Sequence, residues 1–149
     1  MNDSKRTAAE QFVSAIPHSK ALGMVLEDIA DGVAVISMPY DERFIGDPQT
    51  RVIHGGAVSA LLDTCSGAAV MSHPTGPIGT ATIDLRIDYL RPARPGDRIT
   101  ARAECYHVTR AVAFIRATAH DMDMTIPVAT ASGAFTIERG PDASKGGRG

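Results

Sequence analysis

The stretch "RVIHGGAVSALLDTCSGAAV" carries one acid, Asp63, in a helical pattern that otherwise excludes charge: residues 55–72 contain no Lys, Arg or Glu. At about 100° per residue, Val58, Leu61, Leu62, Cys65 and Ala69 form one apolar stripe. Asp63 falls on the opposite side with Ser59, Ser66, Gly67 and Val70. A solvated helix face normally carries several long charged residues, so a face of small residues around one acid predicts close approach by another surface. The expectation is a helix buried nearly all round, with a sheet on one side and a second subunit on the other. A carboxylate there costs several kcal/mol unless it is paired or put to use.

The same stretch opens on His54-Gly55-Gly56. Glycines in a first helical turn let a ligand approach the backbone. The free N–H groups and the positive dipole end there can hold an oxyanion or a carbonyl oxygen. Taken alone, these features leave two plain alternatives open: an Asp63 that is structural, and a Gly-rich loop with a surface histidine.

The flanking elements must position this helix. Residues 4–16 have an amphipathic pattern, with Ser4 as a cap and Ala8, Phe12 and Ile16 at helical spacing, and Pro17 is expected to end it. "MVLEDIADGVAVISMPY" reads as a hairpin: Val25, Glu27 and Ile29 alternate with Leu26 and Asp28, and Asp31-Gly32 makes the turn. "DERFIGDPQTRV" reads as a polar loop. "TATIDLRIDYL" places Ile83, Leu85, Ile87 and Tyr89 on one strand face and Thr82, Asp84, Arg86 and Asp88 on the other. After the turn "RPARPGD", the next strand sets Ile99, Ala101, Ala103 and Cys105 against Arg102, Glu104 and Tyr106. "RAVAFIRATAHD" and "IPVATASGAFTIE" complete an antiparallel sheet with one covered face. Met38, Tyr89 and Phe114 are read as core rather than pocket residues. Residues 139–149 lack an apolar anchor and are expected to be a disordered tail.

Composition narrows the function classes. A chain of 149 residues with 44% apolar content supports one folded domain. A net charge of -2 carries no basic field, so no nucleic-acid partner is expected. No apolar run reaches membrane-spanning length and the N-terminus lacks a signal core, so a soluble, cytoplasmic protein is expected, with no membrane partner. Cys65 and Cys105 read as buried free thiols. His18, His54, His73, His107 and His120 show no ligand spacing, so no metal and no cofactor are expected. GxGxxG, P-loop and GxSxG motifs are absent.

With these segments in hand, the sequence resembles the hotdog-fold acyl-CoA thioesterases of the phenylacetate-degradation (PaaI-like) type. The resemblance lies in "HGGAVSALLDTCSGAAV", in "ALGMVLEDIADGVAVISMP" and in "TATIDLRIDYLRPARPGDRITARAECYH", and spans about residues 18–138. It implies an α+β hotdog fold, a long central helix wrapped by an antiparallel sheet. The amphipathic N-terminal segment, residues 1–17, is expected to pack on this domain as a helix. The resemblance also implies edge-to-edge homo-oligomers, a dimer or dimer of dimers, acting on an acyl-CoA substrate. By position it assigns Asp63 as catalytic carboxylate, general base or nucleophile. Gly55 is assigned as the N–H that polarises the thioester carbonyl, His54 as a substrate-orienting residue and Thr82 as a water-positioning residue. Gly56 is expected to contact substrate. Relatives often carry an Asn shortly before the His and a Gly just ahead of it; here Asp47 or Gln49 lies near the first position and Arg51 near the second. Gln49 is the expected substitute. Two rival readings are a hotdog hydratase or dehydratase and a non-catalytic acyl-CoA sensor.

Overall fold

Gly55–Met71 forms the long helix α3 in the computed structural model, which describes residues 3–141. His54 caps it: its Nδ1 accepts the Gly56 N–H at 2.8 Å, replacing the more usual Ser or Asp. Two helices precede it, α1 at Asp3–Ala15 and α2 at Pro17–Ala21. Pro17 therefore does more than stop α1. It occupies the first turn of α2, where its missing N–H has no intrahelical partner to lose.

Six strands follow the chain as β1 (Val25–Ala30), β2 (Val33–Met38), β3 (Thr82–Tyr89), β4 (Ile99–Val108), β5 (Val112–His120) and β6 (Ala129–Thr136). They form one sheet in the order β1-β2-β4-β5-β6-β3. Every neighbouring pair is antiparallel. The expected Asp31-Gly32 turn is present, with Gly32 at φ +69°. The covered face packs on α3: Ala34, Ile36, Ala101, Ala103, Ala117 and Ala119 meet Leu61, Leu62 and Cys65. Alanine at most of these positions lets the sheet curve closely around the helix. Both cysteines are free and buried. Burial pushes the Cys65 thiol up to about 12.

The apolar stripe of α3 is buried as its spacing predicts. The opposite side departs from expectation. Ser66 and Val70 are 0% exposed within a single chain. Beside them Gly67 lies against Phe12 of α1 and Phe135 of β6. The chain covers that part itself, while Ser59, Ala60, Asp63, Thr64 and, at the last turn, Met71 stay half-buried.

The sheet's register shifts at three places among the described residues, one of them in β4 between Cys105 and His107, and the other two overturn the simple alternation. In β1 the register shifts between Leu26 and Asp28, so Leu26 and Ile29 are buried while Val25 is exposed. In β3 it shifts between Thr82 and Asp84, and Ile83 turns out to 56% exposure. Thr82 thereby joins the helix-facing side with Leu85 and Ile87, instead of the outer side with Asp84. Gly133 of β6 permits this. A Cβ there would lie 2.2 Å from the Asp84 carbonyl oxygen. Gly133→Ala is expected to push β3 away, lower stability by about 1–3 kcal/mol, and reduce any activity that needs Thr82. Urea denaturation together with an activity assay checks both effects.

Just beyond β3, Arg91 makes a two-pronged pair with buried Asp121, Nη1 to Oδ2 at 2.6 Å and Nη2 to Oδ1 at 2.7 Å. Asp121 also accepts the backbone N–H groups of Arg94 and Asp123. The Arg91 guanidinium, followed by those N–H groups, holds the Asp121 carboxyl well below the usual carboxylate range. The clamp joins the β3–β4 turn to the β5–β6 loop. Asp121→Asn is expected to cost about 3 kcal/mol, because it leaves the guanidinium without its charge partner. A depressed folded-state pKa adds stability above the unfolded value and loses it as the folded group protonates. The gap between wild type and Asp121→Asn should therefore hold above about pH 5 and shrink as pH falls below about 4. Thermal melts across that range test this.

Candidate active site

Asp63 lines a cavity of about 470 Å³ with His18, Ser59, Thr64, Thr82 and Leu85. Thr82 Oγ1 donates to Asp63 Oδ1 at 2.6 Å. The other carboxylate oxygen has no hydrogen-bond partner among the described residues. Thr82 can reach because the β3 bulge rotates it inward. One carboxylate oxygen is thus oriented and the other is left to accept a proton, the arrangement a general base requires.

The helix start forms a second group. With the Gly56 N–H on His54 Nδ1 and the Ala57 N–H on the His54 carbonyl at 3.0 Å, the Gly55 N–H remains unpaired among the described residues. Accepting at Nδ1 places the neutral imidazole proton on Nε2. Gly55 borders an apolar cavity of about 430 Å³ lined by Val52, Ile53, Val58, Leu90 and Val128. His54 and Gly56 border another of about 330 Å³ with His18, Arg43 and Phe44.

The expected residues therefore fall into two clusters within one chain. Asp63 pairs with Thr82, and His54, Gly55 and Gly56 share the α3 start, but Asp63 and Gly55 line different cavities. Gln49 is exposed in the preceding loop, its N–H donated to Asp47 Oδ1 at 2.9 Å. Asp47 in turn is committed to its own loop, accepting from Gln49 N–H and Thr50 Oγ1. Arg51 has φ +64°, a left-handed conformation that glycine adopts at less cost. Its carbonyl accepts from Tyr40 and its guanidinium pairs with Glu42, which hold the turn.

Two residues of this region are given no part in the site by the sequence reading, which lists His18 only as a histidine without ligand spacing and takes Tyr89 as core rather than pocket lining. His18, on α2, borders both the Asp63 and His54 cavities, a placement that only tertiary packing creates. Tyr89 is not a core residue. It is 51% exposed, and its hydroxyl donates to the Gly55 carbonyl at 2.8 Å. Of the other two residues read as core, Met38 is buried and Phe114 is half-buried beside His107. Among the described residues no group of His, Cys, Asp and Glu could hold a metal ion, and no helix is long and apolar enough to cross a membrane.

Comparison with known proteins gives a consistent picture. The thioesterase superfamily model matches residues 51–128, from just before the HGG turn to the start of β6. The medium/long-chain acyl-CoA thioesterase YigI of Escherichia coli K12 is 29% identical over 147 residues, covering 89% of this chain and 92% of its own. A crystal structure from Pseudomonas aeruginosa is 38% identical, with a TM-score of 0.78 over 89% of this chain and 98% of that one. The E. coli PaaI structure, from the phenylacetic acid degradation operon, superposes with a TM-score of 0.81 at 23% identity over 93% of this chain and 96% of its own, and shares the fold. With one long helix wrapped by a six-stranded antiparallel sheet and the matched HGG segment, the chain belongs to the thioesterase superfamily, as a hotdog-fold thioester hydrolase of the PaaI-like type.

Proposed function

We propose that this thioesterase hydrolyses an acyl-CoA to the free acid and CoA, with Asp63 as the reacting carboxylate and the Gly55 N–H as the group that polarises the thioester carbonyl. The observation that carries the reading is the Asp63–Thr82 pair at 2.6 Å, one carboxylate oxygen fixed and the other open in a cavity. Water attacks the carbonyl carbon as Asp63 takes its proton. The oxyanion forms against the Gly55 N–H, and its collapse expels the CoA thiolate, which recovers a proton. Direct attack by Asp63 to give an anhydride uses the same groups. His54, donating from Nε2, and Gly56 orient the substrate. The apolar cavity beside Gly55 suits the acyl arm.

The site is proposed to be shared between two protomers. His54 and Asp63 are nine residues apart, about 13 Å along a helix. The base and the carbonyl-polarising group must both lie within a few ångströms of the reacting atoms. A two-fold partner supplies the missing half. The edge strand β3 supports this pairing, since it presents exposed Ile83, Tyr89 and, just past its end, Leu90, apolar surface that a second copy would cover.

A panel of acyl-CoAs incubated with a thiol reagent tests the reaction. CoA release that depends on enzyme is the expected result. Binding without turnover would indicate an acyl-CoA sensor, and an absorbance change at the enoyl band would indicate a hydratase; either contradicts the reading.

A further inference from the structure

Tyr89 and His54 stand at two ends of one hydrogen-bonded chain. The Tyr89 hydroxyl donates to the Gly55 carbonyl at 2.8 Å. That carbonyl belongs to the peptide whose other end is the Gly56 N–H, and this N–H donates to His54 Nδ1 at 2.8 Å. Hydrogen bonds in series through one peptide group polarise each other, so a donor on the carbonyl strengthens the N–H as a donor. The backbone around Tyr89 is held firmly. Tyr89 pairs with Ala129 on β6, the next residue donates its N–H to the Val128 carbonyl at 2.8 Å, and Arg91 is clamped by Asp121. The ring packs against Gly55, where a Cβ would lie 3.5 Å from it. Ser59 Oγ lies 3.1 Å from both the Gly55 carbonyl and the Tyr89 hydroxyl, closing the group.

We propose that Tyr89 is a positioning residue that fixes the His54 imidazole, through the Gly55–Gly56 peptide, in the tautomer that donates from Nε2, and holds Gly55 in place to meet the carbonyl. The role in turnover rests on the thioester hydrolysis proposed above; the link between Tyr89 and His54 does not. Tyr89→Phe removes one oxygen and keeps the ring. It is expected to lower kcat by about three- to tenfold, the scale of one hydrogen bond, at unchanged KM. In the free protein it should shift the Gly56 amide proton upfield and move the His54 ring nitrogen signals towards a mixture of tautomers. Ser59→Ala, which leaves the Tyr89 hydroxyl in place, should move the same signals less. Unchanged His54 and Gly56 signals in Tyr89→Phe would overturn the link, whatever the rate does. A raised KM at unchanged kcat would overturn the positioning role and leave Tyr89 as pocket lining. Shifted signals in a protein whose wild type releases no CoA would uphold the link and overturn the reaction.

Discussion

Asp63→Ala is expected to lower acyl-CoA hydrolysis by at least ~10²-fold, the scale for losing a general base, with fold and assembly intact. The side chain is half-buried, lines an open cavity and has Thr82 as its one hydrogen-bond partner among the described residues. Truncation therefore removes no core packing, and the Thr82 hydroxyl it frees can turn to water. Asp63→Asn sharpens the result. The amide can keep the contact with Thr82 but cannot take a proton, so it should be as slow as the alanine variant. If the carboxylate served only to hold β3 against α3, Asp63→Asn would retain most of the rate. Steady-state CoA release, with circular dichroism to confirm folding, separates the two. A purified Asp63→Ala protein that works at the wild-type rate would remove the carboxylate from the mechanism.

What the sequence made legible was what local periodicity encodes. The α3 stripe, the buried series Ile99, Ala101, Ala103 and Cys105, and the Asp31-Gly32 turn all follow from residue spacing, and the structure has them. The misreadings share a cause: each depends on contacts distant in sequence. The β3 bulge is decided by Gly133 on another strand, so alternation alone put Thr82 on the wrong face. Phe12 and Phe135, one before α3 and one near the end of β6, cover a helix side whose small residues pointed to a second subunit. Tyr89 follows the inward alternation of β3 but ends the strand, beyond the core and against the helix start. At Arg51, by contrast, the resemblance itself held the clue. Relatives favour glycine there, and the left-handed φ shows what a glycine would relieve. The Asp63–Thr82 pair joins two residues that the resemblance assigned separately, and their direct hydrogen bond was visible only in three dimensions.

The second large effect concerns the division of the site. Asp63→Ala and an inactive His54 variant, such as His54→Ala, should each be nearly silent alone. His54→Ala also removes the α3 cap, at a cost of about 1 kcal/mol, so its folding must be verified first. In a two-fold dimer containing one chain of each kind, one site has both groups damaged and the other has both intact. If each site instead lay within one chain, both sites of the mixed dimer would carry one defect. The deciding measurement is CoA release after the two variants are unfolded together in equal amounts, refolded and shown by differential tagging to form mixed dimers. Random pairing should restore roughly a quarter of wild-type activity. Mixed dimers that form and release no CoA would contradict a site built from Asp63 of one protomer and the HGG turn of its partner.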